Sequence, residues 1–380
     1  MQFRDLKRQY AKLKPDIDAA VQKAIDRGIF IGGEYVANIE RELADYVGVS
    51  ECVSCANGTD ALVLAMKAND ISIGDAVFVP DFSYIASAST ISLVGATPVF
   101  VDVNRDTFNI DCDAFEKTIK SFPKDSALKP KAVITVDLFG LPADYERIEK
   151  ITKQYGLLLI EDGAQGFGGQ MKSRKSCSFG DIATTSFFPA KPLGCYGDGG
   201  AIFTNDKEIA DKLRLLRSNG ASSADKYDNL VIGTNSRLDS LQAAILAVKL
   251  DAFQKFELNA VNKVADWYNA RLDGIVKIPV VSDGYHSSWA QYTIILEDKN
   301  TRGGLQKHLA DNGIPTMVYY KKTLHRQKAF EDTPRFSDNF PNSEYLSERV
   351  LSLPIHPYLT EEEVEAVCSK IKDYLGTEML

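Results

Sequence analysis

The chain has 380 residues, of which 44% are hydrophobic and 25% are charged, and its formal net charge is −8. This length allows two domains, and the acidic balance lacks the basic footprint of a nucleic-acid-binding protein. No apolar run reaches the ~20 residues of a membrane span, and the charged residues 1–8 lack the apolar core of a signal peptide. We therefore expect a cytoplasmic protein with neither a nucleic-acid nor a membrane partner.

Six cysteines do not form the disulfide framework of a small secreted protein in a chain this long. Cys52 and Cys55 have the CxxC spacing found in zinc and redox sites. A zinc site needs a second pair of ligands, and none of the four histidines lies near another cysteine pair. We therefore predict no metal site.

The first third of the chain begins with charged residues 1–14, which we expect to form an arm. Apolar spacing then predicts helices over residues 14–27 and 34–47. Residues 52–66 predict a short strand, a tight turn at Gly58 and a strong helix. Asn57 or Thr59 could simply cap this helix, or the turn could bind an anion with its free N–H groups. Both interpretations stay open on these residues alone.

Strands and helices alternate between residues 75 and 162. The pattern predicts strands over 75–80, 97–102, 131–136 and 157–162, and helices over 85–93, 113–120 and 144–155. Several of the strands are apolar throughout, which is typical of a mostly parallel sheet with helices on both faces. Ligands of such sheets lie beyond the carboxyl ends of the strands, which places Asp162 in the candidate site. A turn-capping role for Asp162 is the alternative.

A lysine with unusual neighbours follows. Lys191 lies between Pro189 and Pro192, in an apolar, glycine-rich stretch that joins predicted strands at residues 182–186 and 200–204. The prolines stiffen the backbone, and removal from water disfavours the ammonium form, as a Schiff-base nucleophile requires. Taken alone, the same stretch also fits a surface loop with a solubilising lysine.

The last third of the chain predicts a connector and a second domain. A long helical stretch runs from about residue 240 to residue 272, and strands near 292–296 and 315–320 alternate with helices near 301–312, 343–352 and 361–374. We place a large α/β domain at residues 1–245, including the arm at 1–14, and a small α+β domain at residues 246–380.

In combination, these motifs resemble the DegT/DnrJ/EryC1/StrS family of sugar aminotransferases over almost the whole chain. The matching motifs are Asn-Gly-Thr-Asp-Ala-Leu at residues 57–62, Glu-Asp-Gly-Ala-Gln at 161–165, Ser-Phe-Phe-Pro-Ala-Lys-Pro-Leu-Gly at 186–194, Gly-Asp-Gly-Gly-Ala at 197–201 and Ser-Leu-Pro-Ile-His-Pro at 352–357. The resemblance implies the cofactor pyridoxal 5'-phosphate (PLP). It also implies the PLP-dependent transferase fold type I, which is α/β and aspartate aminotransferase-like, with a large, mostly parallel sheet domain and a smaller α+β C-terminal domain.

The resemblance implies roles around the cofactor ring for four residues. Lys191 would be the catalytic Schiff-base lysine and later the proton shuttle. Asp162 would keep the pyridine nitrogen protonated, and Gln165 would hydrogen-bond the phenolic oxygen. Tyr84 would stack on the ring.

The same resemblance implies a phosphate site. Gly58, Thr59 and Ser186 would bind the phosphate through helix-start N–H groups and hydroxyls. Asn235 matches a family asparagine that reaches the phosphate of a neighbouring subunit. A homodimer with shared active sites is therefore implied.

The resemblance is less complete for the residues that would bind the substrate. Arg237 follows Asn235 at Asn-x-Arg spacing and is implied to bind a carboxylate of the amino donor or of a sugar acid, with an interface salt bridge as the alternative. Tyr319 and Tyr320 fall in the substrate segment, where Tyr319 replaces the commoner histidine. The basic residues at 321–326 fit either a nucleotide diphosphate site or a solvated turn.

The implied function is transfer of an amino group from an amino acid, which we expect to be glutamate, to a nucleotide-linked ketosugar. The nearest resemblance is to enzymes that aminate C3 of a UDP-linked 3-keto-hexuronic acid. A dTDP- or UDP-linked 3- or 4-keto-deoxysugar is an alternative substrate, and a non-catalytic regulatory protein is an alternative class. Sugar dehydratases of this fold carry histidine at the lysine position, so Lys191 argues against that chemistry. The expected context is lipopolysaccharide or polysaccharide biosynthesis.

Overall fold

The structure, a computed structural model, describes residues 1–222, 224–225, 227–337 and 339–376. Its largest sheet has seven strands in the order β1-β9-β8-β5-β4-β2-β3. The strands in chain order are β1 (Glu51–Cys55), β2 (Asp75–Pro80), β3 (Thr97–Val101), β4 (Lys129–Val136), β5 (Leu158–Asp162), β6 (Gln170–Met171), β7 (Arg174–Lys175), β8 (Ile182–Ser186), β9 (Gly200–Thr204), β10 (Tyr285–His286), β11 (Tyr292–Ile295) and β12 (Val350–Leu353).

The seven-stranded sheet is mostly parallel, as the sequence predicts. β8, β5, β4, β2 and β3 pair in parallel, whereas β9 is antiparallel to both of its neighbours, β1 and β8. The carboxyl ends of the parallel strands therefore meet at one edge of the sheet, together with the start of β9. Ligand sites of open α/β sheets lie at this edge.

Helices cover the sheet and build the second domain. Their bounds are α1 (Leu6–Arg27), α2 (Gly33–Val47), α3 (Gly58–Ala68), α4 (Ala86–Leu93), α5 (Cys112–Ser121), α6 (Tyr145–Tyr155), α7 (Lys207–Leu216), α8 (Ser240–Ala252), α9 (Leu258–Leu272), α10 (Lys299–Asp311), α11 (Pro341–Arg349) and α12 (Glu361–Leu375). None of the helices in the described ranges is both long and apolar enough to cross a membrane.

The arm is shorter than the sequence indicates. α1 begins at Leu6, because the Asp5 carboxylate accepts a hydrogen bond from the Arg8 N–H (2.9 Å) and caps the helix. Residues 1–14 were expected to form the arm, but only residues 1–5 precede the helix. Pro15 lies within α1, so a proline near the expected boundary does not mark the start of this helix.

Two core layers cover the two faces of the seven-stranded sheet. Val77 and Val79 of β2 pack in one layer, and Phe78 between them packs in the other. This alternation is the period-two pattern of a strand buried on both faces. The layers fix the positions of the strand ends, and with them the candidate site.

A separate apolar core holds the small domain together. It surrounds the β11–β12 pair and includes Tyr268 of α9, Leu305 of α10 and Val367 of α12. α8 and α9 are joined by a π-helical segment at Phe253–Glu257, so the predicted helical connector is present. The predicted division at residue 245 falls within α8 and stays a prediction.

A buried carboxylate joins the small domain to the sheet. Asp102, directly after β3, accepts hydrogen bonds from Asn342 N–H (3.0 Å), Ser343 N–H (2.8 Å) and Ser343 Oγ (2.7 Å). These donors belong to the first turn of α11, whose N–H groups have no partner within the helix. Asp102 therefore caps α11 from another part of the chain.

We expect Asp102→Ala to lower the free energy of unfolding by about 2 kcal/mol, because it leaves the buried helix-start N–H groups unpaired. Urea titration would measure the change. Asp106→Ala is the control: this exposed carboxylate pairs with Lys277 at the surface, and its loss should cost less than about 1 kcal/mol. Equal losses in the two variants would contradict the capping role of Asp102.

Candidate active site

The candidate site lies at the carboxyl edge of the sheet. Asp162 ends β5 and Ser186 ends β8, two strands that pair in parallel. Ser186 also pairs with Gly200 of β9, so the stretch that carries Lys191 is an excursion between two antiparallel strands. Within it, the Lys191 N–H donates to the Phe188 carbonyl (2.8 Å). The excursion therefore returns Lys191 toward the edge where Asp162 lies.

Lys191 and Asp162 influence each other electrostatically. Burial of the amine lowers the pKa of Lys191, while the charge of Asp162 opposes this shift. Burial raises the pKa of Asp162, and hydrogen bonds and the Lys191 charge lower it in part. A depressed pKa gives Lys191 a larger fraction of neutral, nucleophilic amine at a given pH.

The Asp162 carboxylate is held by two donors. Oδ2 accepts a hydrogen bond from Ser87 Oγ (2.8 Å), and Oδ1 accepts one from the Ala164 N–H (3.1 Å). Ser87 lies in α4, and its hydroxyl also contacts Ser83 Oγ (3.1 Å). Asp162 is buried, so these bonds fix its direction in a setting where an unpaired carboxylate would be costly.

Gln165 is buried and bonded on both ends of its amide. Its Oε1 accepts from the Phe139 N–H (2.9 Å), and its Nε2 donates to Tyr320 Oη (3.1 Å). Tyr84 is 55% exposed, and its ring lies 6.4 Å from the Tyr320 ring. These contacts bring Gln165, Tyr84 and Tyr320 together, as one site requires.

The segment after Tyr320 is anchored to the end of β2. The buried Asp81 carboxylate accepts from the His325 N–H (2.7 Å) and contacts His325 Nδ1 (2.6 Å). The Leu324 N–H donates to the Asp81 carbonyl (2.8 Å). This anchoring holds the tyrosines that precede it against the carboxyl edge of the sheet.

The start of α3 is both capped and closely packed. Asn57 Oδ1 accepts from the Asp60 N–H (2.8 Å), so the capping interpretation holds for Asn57 rather than for Thr59. A Cβ on Gly58 would lie 2.6 Å from Ser186 Cβ. Glycine is therefore required for this close approach. The cap does not use the Ser186 hydroxyl or the first N–H groups of the helix. The same turn can therefore be capped by Asn57 and still bind an anion.

Asn235 and Arg237 lie elsewhere on the chain. Both are exposed and line a separate cavity of about 440 Å³, together with Ile31, Gly197 and Asp198 among others. Within the described residues, neither forms an ion pair or a side-chain hydrogen bond with the residues around Lys191. Within one chain these two residues therefore line a neighbouring cavity without bonding Lys191, Asp162 or Gln165, and their roles stay predictions.

The CxxC cysteines pack in the apolar core of the large domain. Cys52 and Cys55 are buried free thiols on β1. Burial raises the pKa of Cys55 to about 12. A thiol that stays protonated at neutral pH is a poor metal ligand and a poor nucleophile.

Three contacts in the site could not be recognised from sequence. Ser87, the Phe139 N–H and Arg4 reach Asp162, Gln165 and Lys191 from distant parts of the chain. Serine spacing in α4 gives no chemical signal, and Phe139 acts through its main chain. Arg4 was included only in the charged arm, and a lone basic residue near a terminus indicates no function.

Comparison with known proteins identifies the family. The model of the DegT/DnrJ/EryC1/StrS aminotransferase family matches residues 11–372. The chain belongs to this family. Its cofactor is PLP, and the chain is a PLP-dependent sugar-nucleotide aminotransferase, as the resemblance implied.

Individual relatives match nearly the whole chain. The chain is 40% identical to the UDP-2-acetamido-2-deoxy-3-oxo-D-glucuronate aminotransferase of Pseudomonas aeruginosa, over 98% of this chain and 99% of the relative. It is also 40% identical to a UDP-N-acetyl-3-dehydro-alpha-D-glucosamine 3-aminotransferase of Acidithiobacillus ferrooxidans, over 97% and 96% of the two chains.

Comparison with solved structures agrees with the family assignment. A crystal structure of a DegT/DnrJ/EryC1/StrS aminotransferase from Brucella abortus superposes with a TM-score of 0.96 at 45% identity, over 99% of this chain and 100% of that one. The fold is therefore PLP-dependent transferase fold type I, as predicted.

The site residues fit PLP chemically. Close packing of Gly58 against Ser186 brings the start of α3 next to the Ser186 hydroxyl, and helix-start N–H groups together with a hydroxyl suit a phosphate group. The buried Asp162 carboxylate, aligned by Ser87, suits a cationic ring nitrogen, which would return its raised pKa toward the ordinary range. The partly buried Lys191 would supply an amine that can bind the aldehyde.

We expect Gly58→Ala to weaken PLP binding about tenfold, since the new Cβ forces Ser186 away from the helix start at a cost of about 1–3 kcal/mol. Absorbance titration of the PLP-free protein would measure the affinity. The matched control is Gly303→Ala in α10, where an added Cβ meets no heavy atom within 4 Å. PLP affinity in Gly58→Ala equal to that of the unmodified protein would show that the close approach is not needed.

Proposed function

We propose that this protein transfers the amino group of glutamate to C3 of a UDP-linked 3-keto-hexuronic acid. The observation that carries the proposal is the placement of the Lys191 amine and the Asp162 carboxylate in one buried, electrostatically coupled site at the carboxyl edge of the sheet. Family membership supports the reaction type. The 3-oxo-glucuronate named for the Pseudomonas relative supports the substrate.

We propose that residues at the carboxyl edge of the sheet bind the cofactor. When bound, PLP accepts the electron pair that is released at the substrate carbon. Asp162 would hold the ring nitrogen in its protonated form, and the second Nε2 hydrogen of Gln165 would bind the phenolic oxygen. Gly58, Thr59 and Ser186 would bind the phosphate.

Lys191 has two tasks in this proposal. Its neutral amine would hold the cofactor until the amino donor takes its place. The amine would then take a proton from the substrate carbon and return it on the cofactor side, as a positioned general base and acid does. The depressed pKa of Lys191 suits both tasks, because each begins with a neutral amine.

A second copy of the chain completes the site. We propose that Asn235 of a partner subunit binds the phosphate and that Arg237 beside it binds the sugar carboxylate. Their exposure on one chain supports this arrangement, because exposed polar residues are free to meet a partner surface. An arginine fork suits a carboxylate.

Aromatic residues would form the rest of the substrate and cofactor surface. Tyr84 would cover the ring, and Tyr319 and Tyr320 would contact the sugar. Tyr320 is already fixed by its bond to Gln165, which connects the sugar side to the cofactor side. The proposal places the homodimer in the cytoplasm, in the synthesis of a lipopolysaccharide or another polysaccharide.

We expect Arg237→Gln to lower kcat/KM for the UDP-linked 3-keto-hexuronic acid by about 10- to 100-fold, because it removes a charge-assisted hydrogen-bond pair. The rate with the corresponding UDP-3-keto-hexosamine, which has no carboxylate, should change less than about threefold. Mass spectrometry of the aminated products, with glutamate as donor, would measure both rates.

Two controls accompany this measurement. Arg41→Gln removes an exposed guanidinium that bonds only Asn38 among the described residues, and it should leave both rates unchanged. Lys191→Ala should abolish turnover with every substrate. Equal losses with the acid and the neutral sugar would exclude Arg237 as the carboxylate ligand. Amination of only dTDP- or 4-keto-deoxysugars in a substrate panel would overturn the proposed substrate.

A further inference from the structure

Arg4 lies in the short arm that precedes α1, yet it reaches the lysine loop. Its Nη2 donates a hydrogen bond to the main-chain carbonyl of Lys191 (2.9 Å). The Asp5 cap fixes where α1 begins and so fixes the direction of the arm. The arm thus contacts the residue that carries the candidate catalytic amine.

The guanidinium of Arg4 is not neutralised by an ion pair. Within the described residues, no carboxylate oxygen lies within 4.0 Å of it, and its buried Nη1 has no hydrogen-bond partner. Glu257 is the acid whose charge acts on Arg4. Its Oε1 already accepts from Gln9 Nε2 (2.9 Å) and from the hydroxyl of Tyr358. An unpaired buried cation is costly, so its retention points to a role at the site.

The charge of Arg4 acts on Lys191. Burial lowers the pKa of Arg4 to about 10, and Glu257 and Tyr319 partly oppose this. Arg4 is still a cation at neutral pH. It adds to the effect of burial in lowering the pKa of Lys191, against the opposite effect of Asp162. The groups that face Arg4 electrostatically are Lys191, Glu257, Tyr319, Lys249 and His356.

The space beside Arg4 excludes a substrate. The cavity that Arg4 and Lys191 line, with Pro192, Glu257 and His356 among its other walls, has a volume of about 10 Å³. That is about the space of a single water molecule. Arg4 therefore acts on the lysine loop rather than as a ligand for a substrate anion in that cavity.

Residues on both sides of Arg4, one in the arm and one in the first turn of α1, contact the small domain. Arg8 donates to the Tyr358 carbonyl (3.0 Å) and, with both Nη atoms, to Glu363 (2.8 and 2.6 Å). The Phe3 ring packs edge-on against Tyr319, with centroids 6.3 Å apart. Arg4 therefore bonds the Lys191 main chain from a segment whose neighbouring residues contact the small domain.

We propose that Arg4 is a positioning residue for Lys191. Its guanidinium holds the main chain of the lysine and brings a positive charge to the lysine loop. This inference rests on the proposed role of Lys191. It adds a residue of the arm to the active site and gives the arm a function in the reaction.

The test is a pH titration of the visible absorbance band of the PLP-loaded protein, which reports protonation of the Lys191 nitrogen. We expect Arg4→Gln to raise the midpoint by about 0.5–1 pH unit, because it removes a nearby positive charge. At a fixed pH below the midpoint, kcat should fall about three- to tenfold, while the KM for the ketosugar changes less than about twofold. Lys7→Gln, at an exposed lysine of the same region with no hydrogen bond or ion pair in the described residues, should leave the midpoint unchanged.

The Arg4→Lys variant separates the effect of the positive charge from the effect of the guanidinium hydrogen bond. It keeps the cation, so the midpoint should stay near that of the unmodified protein, but it loses the guanidinium contact, so kcat should fall. An unchanged midpoint in Arg4→Gln overturns the inference, and so does an unchanged kcat in Arg4→Lys if Arg4→Gln is too unstable to titrate. Absence of a Lys191-dependent band in the unmodified protein would instead overturn the proposed function.

Discussion

The burial of an amine together with a carboxylate is the constraint on which the rest of this structure depends. Neither Lys191 nor Asp162 would be stable as a charged group in an apolar interior without fixed partners. Ser87 and the Ala164 N–H hold the carboxylate, and the β8–β9 excursion and Arg4 hold the lysine. The seven-stranded sheet supplies the rigid edge on which these groups can meet.

The sequence was sufficient for the parts of the fold that depend on local pattern. The apolar strand at the end of which Asp162 lies, the turn at Gly58 and the paired strands around Lys191 each have a periodicity or glycine signal, and the structure contains all of them. The predicted start of the first helix at residue 14 is wrong, because a single capping bond to the Asp5 carboxylate starts α1 at Leu6. Several neighbouring residues can begin a helix with similar free energies, so composition alone does not determine the residue at which it starts.

Contacts between residues far apart in the chain could not be predicted from the sequence. Ser87 is separated from Asp162 by 75 residues and Arg4 from Lys191 by 187 residues. The Phe139 contribution is a main-chain N–H, which any residue type provides. The roles proposed for Asn235 and Arg237 require a second copy of the chain. Neither the sequence pattern nor a single chain fixes their geometry, so both assignments stay predictions.

The central claim is that the Lys191 amine holds the cofactor. Borohydride reduction of the PLP-loaded protein, followed by peptide mass spectrometry, tests this claim most directly because reduction makes the bond permanent. We predict one phosphopyridoxyl group per chain, on the peptide that contains Lys191. A label on a different lysine, or no label on a protein that has bound PLP, would contradict it.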